Sequence, residues 1–304
     1  MDRSAITLER MRSFVRVAER GSLSSVARDH GVGQSTVTRH IAELEQALGV
    51  TLLNRTTRRI TLTAEGARYL DDARTILRLV DEAADGARSA ADRLTGTVRI
   101  SCTAALGVRH VADILFAFQD RHPGVCIDFR LSDVQVDLVR DAVDVAIRLG
   151  TLSDSSMQRK QIGVSRRILV ASKGYLDEHG RPDEPAALVH HAIVRMSNVT
   201  GSDRLVLHRA NSEPSIVPVA DRLLVDHGLA ARQAIMMGRG IAPTHLWLVN
   251  DLLEAGTVEQ VLPDYLPEPV PLSILFVPGR ARLNRIRALI DALHGALKGL
   301  PGIQ

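Results

Sequence analysis

The chain is poor in aromatic residues and in cysteine. Its 304 residues include one Trp, three Tyr, five Phe and two Cys. Two cysteines are too few for a secreted disulfide scaffold. No apolar run approaches the roughly 20 residues that a membrane-spanning helix needs, and the first residues lead into an amphipathic helix instead of a signal peptide. We therefore expect a cytoplasmic globular protein with two or three domains.

The usual sequence motifs of catalysis are also missing. There is no Gly-x-Ser-x-Gly elbow, no glycine-rich phosphate loop and no Cys/His or His/His spacing typical of zinc. Gly238-Arg239-Gly240 follows a predicted helix and lacks a third glycine, and His190-His191 is expected at a loop edge. Neither Cys102 nor Cys126 lies in a nucleophile motif, although a thiol redox switch stays an open alternative. We expect no enzyme, no cofactor and no metal site.

Positive charge is concentrated at the start of the chain. Apolar residues make up 45% and charged residues 24%, as in a folded globular protein. The net charge is +3, yet residues 1–63 alone contain ten Arg and six acidic residues, leaving about −1 for the remainder. A basic head on a near-neutral body fits a nucleic-acid module joined to a second part.

Residues 22–49 have the pattern of two helices joined by a tight turn. Ser22 is a suitable cap for the first helix, and His30-Gly31-Val32-Gly33 supplies the turn. The second helix is predicted to end at Gly49. Its apolar stripe consists of four residues at helical spacing: Val37, Ile41, Leu44 and Leu48.

The opposite face of this second helix is suited to reading base edges in a major groove. Its side chains are short, hydrogen-bonding or cationic, namely those of Gln34, Ser35, Thr36, Thr38 and Arg39. The alternation of Ile60 and Leu62 then predicts a strand, and the Arg/Thr-rich segment before it predicts a hairpin tip facing phosphates. Its arginines are Arg55, Arg58 and Arg59. Together these features predict a helix-turn-helix with a basic wing, the alternative being an ordinary helical hairpin with a solvated charged loop.

A long helix is predicted over residues 64–94, with Thr63 as its cap. Two apolar series repeat every seven residues: Leu70, Leu77, Ala84 and Ala91, and Ala73, Val80, Ala87 and Leu94. This spacing is typical of a coiled coil. The alternative is a single helix that lies on its own domain.

From Gly96 the pattern changes to alternating strands and helices, and a second such unit begins near residue 168. Such alternation predicts mostly parallel α/β sheets. The predicted strands are 97–102, 125–131, 143–147, 192–196 and 272–276. The predicted helices are 107–119, 134–140, 227–237 and 283–297.

Polar residues follow several of these strands. In α/β sheets, ligands bind beyond the carboxyl ends of strands, near helix N-termini that favour anions. The residues in such places are Thr103, Ala104, Ser132, Arg148, Ser197 and Asn198. The Arg148 fork suits a carboxylate, which favours an anionic ligand. The alternatives are ordinary helix caps for the hydroxyls and an internal ion pair with Asp144 or Asp133 for Arg148.

The helix-turn-helix region resembles the DNA-binding domain of LysR-type transcriptional regulators. The matching residues are Ala27, Gln34, Val37, Thr38, Ile41, Leu44-Glu45, Leu48-Gly49, Leu52, Arg55, Arg59, Leu62-Thr63 and Gly66. Gly33 stands where the family usually has a serine cap, and Ser35 where proline is common. The segment from Asp144 to Arg148 matches a recurrent family motif, and the resemblance extends over the whole chain.

The resemblance implies an α/β fold of three parts. An N-terminal winged helix-turn-helix covers residues 1–63, and a long linker and dimerisation helix covers 64–95. A two-lobed, periplasmic-binding-protein-like (type 2) effector domain covers 96–304. Lobe I is expected at about 96–165 and 270–304, and lobe II at about 166–269.

The resemblance also implies a function. A dimer or tetramer would bind a two-fold-symmetric operator on double-stranded DNA, and a small effector between the lobes would modulate that binding. RNA polymerase is a further expected partner. Two rival classes are a solute-binding module whose N-terminal domain makes only protein contacts, and an enzyme that turns over its cleft ligand.

Overall fold

The chain forms two compact units, the first ending at Asp92 and the second beginning at Arg93. The computed structural model describes residues 6–29, 31–55, 60–88, 94–133, 143–150, 157–199, 201–219 and 222–304. Within these ranges, no helix is both long enough and apolar enough to cross a bilayer.

The N-terminal unit is a helical domain with a small hairpin. Its elements are α1 (Leu8–Arg20), α2 (Leu23–Asp29), α3 (Gln34–Leu48), β1 (Leu53–Arg55), β2 (Ile60–Leu62) and α4 (Ala64–Arg88). The predicted caps are confirmed, since Ser22 Oγ accepts from Ser25 N and Thr63 Oγ1 accepts from Gly66 N. Gly49 ends α3 in the left-handed conformation with φ of 71°.

Helix α4 packs differently from the heptad prediction. The described helix ends at Arg88, and Leu94 lies outside it, against the core of the second unit. Leu70, Ala73 and Leu77 are buried in the core of the N-terminal unit. The first turns therefore lie on their own domain, which was the alternative interpretation. The later seam positions Ala84, Ala87 and Ala91 lie outside the described side chains.

The C-terminal unit contains thirteen of the strands that the structure describes. They are β3 (Gly96–Cys102), β4 (Val125–Leu131), β5 (Val145–Leu149), β6 (Gln158–Ser165), β7 (Arg167–Ser172), β8 (Val194–Met196), β9 (Arg204–His208), β10 (Ser215–Pro218), β11 (Leu223–Val225), β12 (Ala242–His245), β13 (Val258–Val261), β14 (Leu266–Pro267) and β15 (Val270–Phe276).

Helices cover these strands. Helix α5 (Ala104–Leu106) continues through a π-helical turn (Gly107–Val111) into α6 (Ala112–Arg121). The others are α7 (Lys173–His179), α8 (Gly228–Met236), α9 (Leu246–Glu254) and α10 (Asn284–Lys298), with 3-10 turns at Pro185–His190 and Arg280–Arg282. The helix predicted over 134–140 lies outside the described residues.

The strands form one five-stranded sheet and a group of smaller sheets. The large sheet has the order β4-β3-β5-β15-β6, in which β3 is parallel to β4 and β5, and β15 is antiparallel to β5 and β6. The smaller sheets have the orders β12-β7-β13, β10-β9-β14 and β11-β8. The prediction of mostly parallel sheets is therefore wrong. The chain returns to the large sheet at the end where β6 leaves it, so β15 must run in the opposite direction.

Two short crossover segments connect the large sheet with the smaller ones. The chain leaves after Ser165 and starts β7 at Arg167, and it returns between Pro267 of β14 and Val270 of β15. The last residues pair with the end of β6, since Val164 N donates to Gln304 O at 2.7 Å. Both crossovers are thus held beside the end of the chain.

Candidate DNA-reading helix and effector cleft

Helix α3 presents a polar face to solvent and buries an apolar stripe. Val37, Ile41 and Leu44 are at most 1% exposed. On the other face, Gln34, Ser35 and Arg39 are exposed and Thr36 and Thr38 are half-buried. Thr38 Oγ1 donates to Gln34 O at 3.0 Å. The Thr38 side chain can therefore offer a base its hydroxyl oxygen as an acceptor and its methyl group for an apolar contact. All five predicted base-facing residues therefore lie on one accessible surface.

Two polar contacts that the sequence did not indicate hold α3 in place. The first is between the buried His40 ring on α3 and Ser13 on α1, with Nδ1 and Oγ 2.8 Å apart. In the second, Glu45 Oε1 accepts from Leu52 N at 2.7 Å and from Leu53 N at 3.0 Å. The Glu45 carboxylate thereby attaches the start of the wing to the reading helix.

The predicted wing hairpin is present. Strands β1 and β2 are antiparallel, and Arg55 pairs with Ile60 across the hairpin. The side chain of Arg55 and the whole of Arg58 and Arg59 lie outside what the structure describes. Position 66, at the start of α4, requires glycine because the backbone of Leu52 passes close to it. A Cβ on residue 66 would lie 2.0 Å from Leu52 O.

The four effector residues predicted on the large sheet are gathered where β3, β4 and β5 end. Arg148 donates through Nη1 to Ser132 O and through Nη2 to Ser101 Oγ, both at 2.7 Å. Ser132 N donates to Cys102 O at 2.9 Å, one residue before Thr103. Thr103 Oγ1 is buried and, among the residues that the structure describes, has no hydrogen-bond partner. Ala104 follows as the first residue of α5.

Arg148 is a buried cation whose hydrogen-bond partners are neutral oxygens. Its side chain is 7% exposed, and burial lowers the pKa of its guanidinium. The alternative of an ion pair with Asp144 is wrong, because Asp144 accepts from Arg99 N at 2.7 Å and pairs with Arg280. Asp133 interacts with Arg148 only as a more distant charge. Arg148 can therefore still receive an anionic group.

A carboxylate of the chain itself occupies the start of α5. Asp133 Oδ1 accepts from Ala104 N at 3.0 Å, and Asp133 Oδ2 lies 3.5 Å from His227 Nε2. His227 Nδ1 accepts from Leu229 N, so Nε2 carries the proton of the neutral ring. Asp133 thus joins the start of α5 to the start of α8, a role that the sequence did not reveal for either Asp133 or His227.

The other two predicted effector residues lie on the group of smaller sheets. Ser197 and Asn198 are exposed and follow β8. Asn198 Nδ2 donates to Asp226 O at 2.8 Å, next to His227. Across from them, a Cβ on Gly228 would lie 2.9 Å from Ala105 Cβ, so the starts of α8 and α5 are in contact. The starts of α5 and α8 therefore lie side by side, and the polar residues that the two groups of sheets place around them form the candidate effector cleft.

The two cysteines differ in their surroundings. Burial raises the pKa of the Cys102 thiol to about 12, so it is not a reactive thiolate at neutral pH. Cys126 is exposed on β4. In the part of the chain that the structure describes, no three His, Cys, Asp or Glu side chains are grouped to hold a metal ion.

A winged helix-turn-helix followed by an α/β domain with polar residues at its strand ends is the arrangement of a DNA-binding regulator with an effector-binding domain. Two family models match this chain. The bacterial regulatory helix-turn-helix protein, lysR family, matches residues 8–67, and the LysR substrate binding domain matches residues 91–298. The chain belongs to the LysR family of transcriptional regulators.

Relatives and solved structures agree with this assignment. The HTH-type transcriptional regulator DmlR of Escherichia coli K12 is 32% identical over 94% of this chain and 93% of its own length. An HTH-type transcriptional regulator of Xanthomonas campestris is 30% identical over 92% of this chain and 82% of its own length.

Two full-length structures have the same fold. The Vibrio cholerae virulence activator AphB is similar with a TM-score of 0.62 and 27% identity, covering 95% of this chain and 99% of its own. CrgA of Neisseria meningitidis is similar with a TM-score of 0.63 and 26% identity, covering 97% and 99%. The chain is therefore a LysR-type transcriptional regulator with a DNA-binding helix-turn-helix and an effector-binding domain.

Proposed function

We propose that this regulator reads a two-fold-symmetric operator through α3 and its wing, and that an anionic effector in the cleft modulates this reading. The observation that carries the DNA proposal is the exposed polar face of α3, which is held by a buried stripe and by Glu45. Gln34, Ser35, Thr36, Thr38 and Arg39 would contact base edges and nearby phosphates. Arg55, Arg58 and Arg59 would hold the wing against the backbone or the minor groove.

The boundaries of the functional parts follow from the same reasoning. We assign DNA binding to residues 1–63, dimerisation to the linker 64–95, and effector binding to 96–304. The large sheet, at about 96–165 and 270–304, would be lobe I, and the smaller sheets, at about 166–269, would be lobe II. As a DNA-binding regulator the protein would act in the cytoplasm, with RNA polymerase as an expected further partner.

The effector proposal rests on Arg148. Its buried guanidinium has neutral partners, and Ala104 N with His227 Nε2 adds donors at two helix starts. Asp133 now occupies those two donors. An effector carboxylate would take its place and pair with Arg148, while Thr103, Ser132, Ser197 and Asn198 would bind polar groups of the same molecule. Binding would favour the lobe arrangement for which the effector has the higher affinity.

The test of DNA reading is to sequence the genomic fragments that the purified full chain retains at moderate salt. An enriched two-fold-symmetric motif is the expected result. Fragments without any shared motif would mean that only phosphate attraction holds the DNA, and would contradict base reading by α3.

A matched pair of variants locates the reading surface. Arg39→Ala should weaken binding to the enriched motif by about tenfold or more, as expected for a base-contacting arginine. Arg12→Ala is the control, because its side chain pairs with Asp81 on α4 at 2.9 Å and leaves α3 untouched. Unchanged binding by Arg39→Ala would favour the rival in which this domain makes only protein contacts.

Arg148→Gln tests the cleft. A panel of small carboxylates is screened for those that raise the melting temperature of the full chain. A carboxylate bound in the cleft should lose at least about tenfold in affinity in Arg148→Gln. Equal binding to both proteins would place the carboxylate elsewhere. Recovery of the compound chemically unchanged supports a regulator, whereas its conversion would support the enzyme alternative.

A further inference from the structure

A second cavity lies beside the two crossover segments, apart from the cleft. It has a volume of about 480 Å³, within the range of small-molecule sites. Its lining comes from the end of β6, both crossovers and the last residue, namely Val164, Arg166, Arg167, Leu266, Pro267, Pro269 and Gln304. None of these residues belongs to the cleft around Arg148, which lies on β5, two strands away in the large sheet.

The cavity combines apolar walls with the side chains of two arginines. Val164, Leu266 and the two prolines supply the apolar surface. In the part of the chain that the structure describes, Arg166 Nε is buried without a hydrogen-bond partner. A buried donor left in this state is costly, and the guanidinium that carries it belongs to a residue lining the cavity.

The second arginine adds positive charge that the protein only partly offsets. Arg167 is half-buried, and burial lowers the pKa of its guanidinium. Glu268 is an exposed residue between the two prolines. Its negative charge attracts Arg167 and raises the pKa of the guanidinium, against the effect of burial. Arg166 and Arg167 therefore bring two positive charges to a cavity whose neighbouring segment carries the Glu268 carboxylate.

We propose that this cavity is a second small-molecule site, which takes an organic carboxylate with an apolar body. The carboxylate would accept from Arg166 and lie in the field of Arg167, and the apolar body would contact the prolines and Leu266. Because both connections between the two groups of sheets line the cavity, an occupant would favour whichever lobe arrangement binds it more tightly. This site does not depend on what binds in the cleft.

The probe is benzoate, with benzamide as its neutral counterpart, titrated into the full chain by calorimetry. We expect benzoate to bind with about one site per chain and benzamide to bind at least about tenfold more weakly, because only benzoate is charged. The single tryptophan offers a nearby second readout, since Trp247 Nε1 donates to Ser165 Oγ, one residue before Arg166.

Three variants place the probe. Arg166→Gln should weaken benzoate binding by at least about tenfold, since it removes the charged donor. Glu268→Gln should strengthen binding, because it removes a carboxylate that attracts Arg167, and a merely damaged fold would not produce a gain. Arg159→Gln is the control, since it removes one charge from an exposed position on β6, the strand that ends just before Arg166.

Absence of benzoate binding to the unaltered chain would overturn the proposal. So would binding that is insensitive to both Arg166→Gln and Glu268→Gln, because the probe would then lie elsewhere, including in the cleft. The backbone contacts of Arg166, its N to Gly302 O at 2.7 Å and its O from Leu246 N at 3.1 Å, do not involve the altered side chain.

Discussion

At the residue scale, the half-buried histidine at the end of β12 links the crossover to the pH dependence of stability. His245 Nδ1 lies 2.8 Å from Ser165 Oγ, and its ring stacks on Trp247 with centroids 5.3 Å apart. Burial, assisted by the positive charge of Arg167, lowers the pKa of His245 to about 3. The ring is therefore neutral in the folded protein at any physiological pH.

This pKa predicts a loss of stability in mild acid. Between about pH 6.5 and pH 3 the unfolded chain protonates His245 and the folded chain does not, so the free energy of unfolding falls as the pH is lowered. From His245 alone we expect a loss of about 2 kcal/mol between pH 6.5 and pH 5. Urea unfolding followed by Trp247 fluorescence measures it.

His245→Phe isolates this contribution. The variant keeps a ring beside Trp247 and has no titrating group, so its stability should fall less steeply with acid by that amount. If the free energy of unfolding falls equally steeply with acid in both proteins, the lost stability does not come from His245. The absolute stability of the variant is not the readout, because it also loses the contact with Ser165.

At the scale of the element, the start of α4 depends on a glycine. A methyl group on Gly66 would collide with the backbone oxygen of Leu52, which cannot move without shifting β1. Gly66→Ala should therefore destabilise the N-terminal unit by about 1–3 kcal/mol.

The measurement for Gly66→Ala is the melting of the full chain by circular dichroism together with DNA retention. The control is Gly295→Ala, in the exposed middle of α10, where a methyl group meets nothing within 4 Å and should stabilise slightly. Equal melting of Gly66→Ala and the unaltered chain would show that the wing can move away at no cost.

The same helix indicates which face a second copy would contact. Leu70, Ala73 and Leu77 are already buried by their own domain, whereas Ile76 and Leu79 are 37% and 53% exposed. We therefore propose that the first turns of α4 contact a second copy through the Ile76–Leu79 face and not through Leu70, Ala73 and Leu77.

Leu79→Glu should then shift the protein toward monomer by at least about tenfold in dissociation constant, since a charge would be buried at the contact. Sedimentation velocity measures it. Ala67→Glu, at an exposed position near the start of α4, is the control. If Leu79→Glu has the same dissociation constant as the unaltered chain, the dimer interface does not include the Ile76–Leu79 face.

At the scale of the whole molecule, each unit has a hydrophobic core of its own. One core joins α1, α2, α3 and α4, and a second is built on the large sheet with α6, α9 and α10. We predict that a fragment of residues 94–304 folds alone, because its core is complete without the N-terminal unit.

The fragment should melt cooperatively and show the same Trp247 emission maximum as the full chain, since Trp247 is 2% exposed inside the second core. It should retain benzoate binding and lose DNA binding. A red-shifted emission would show that the fragment needs the N-terminal unit to fold.

Much of the reading domain could be predicted from the sequence because its signals are local. The caps at Ser22 and Thr63, the helical spacing of Val37 and Ile41, and the left-handed Gly49 all act within a few residues of themselves. The direction of β15 was predicted wrongly, since it runs antiparallel to β5. It enters the large sheet through a crossover, and no local sequence pattern indicates the direction of a strand that does so.

The helix-turn-helix, the wing, the family resemblance and the strand ends that supply Arg148 could all be predicted from residue patterns. The partners of those residues became known from the folded chain. It placed Asp133 against Ala104 and His227, and it brought Arg166 beside the crossovers without a hydrogen-bond partner among the described residues for its Nε. These contacts join segments far apart in the chain, and their energy depends on burial and distance, which the spacing of residues along a sequence does not encode.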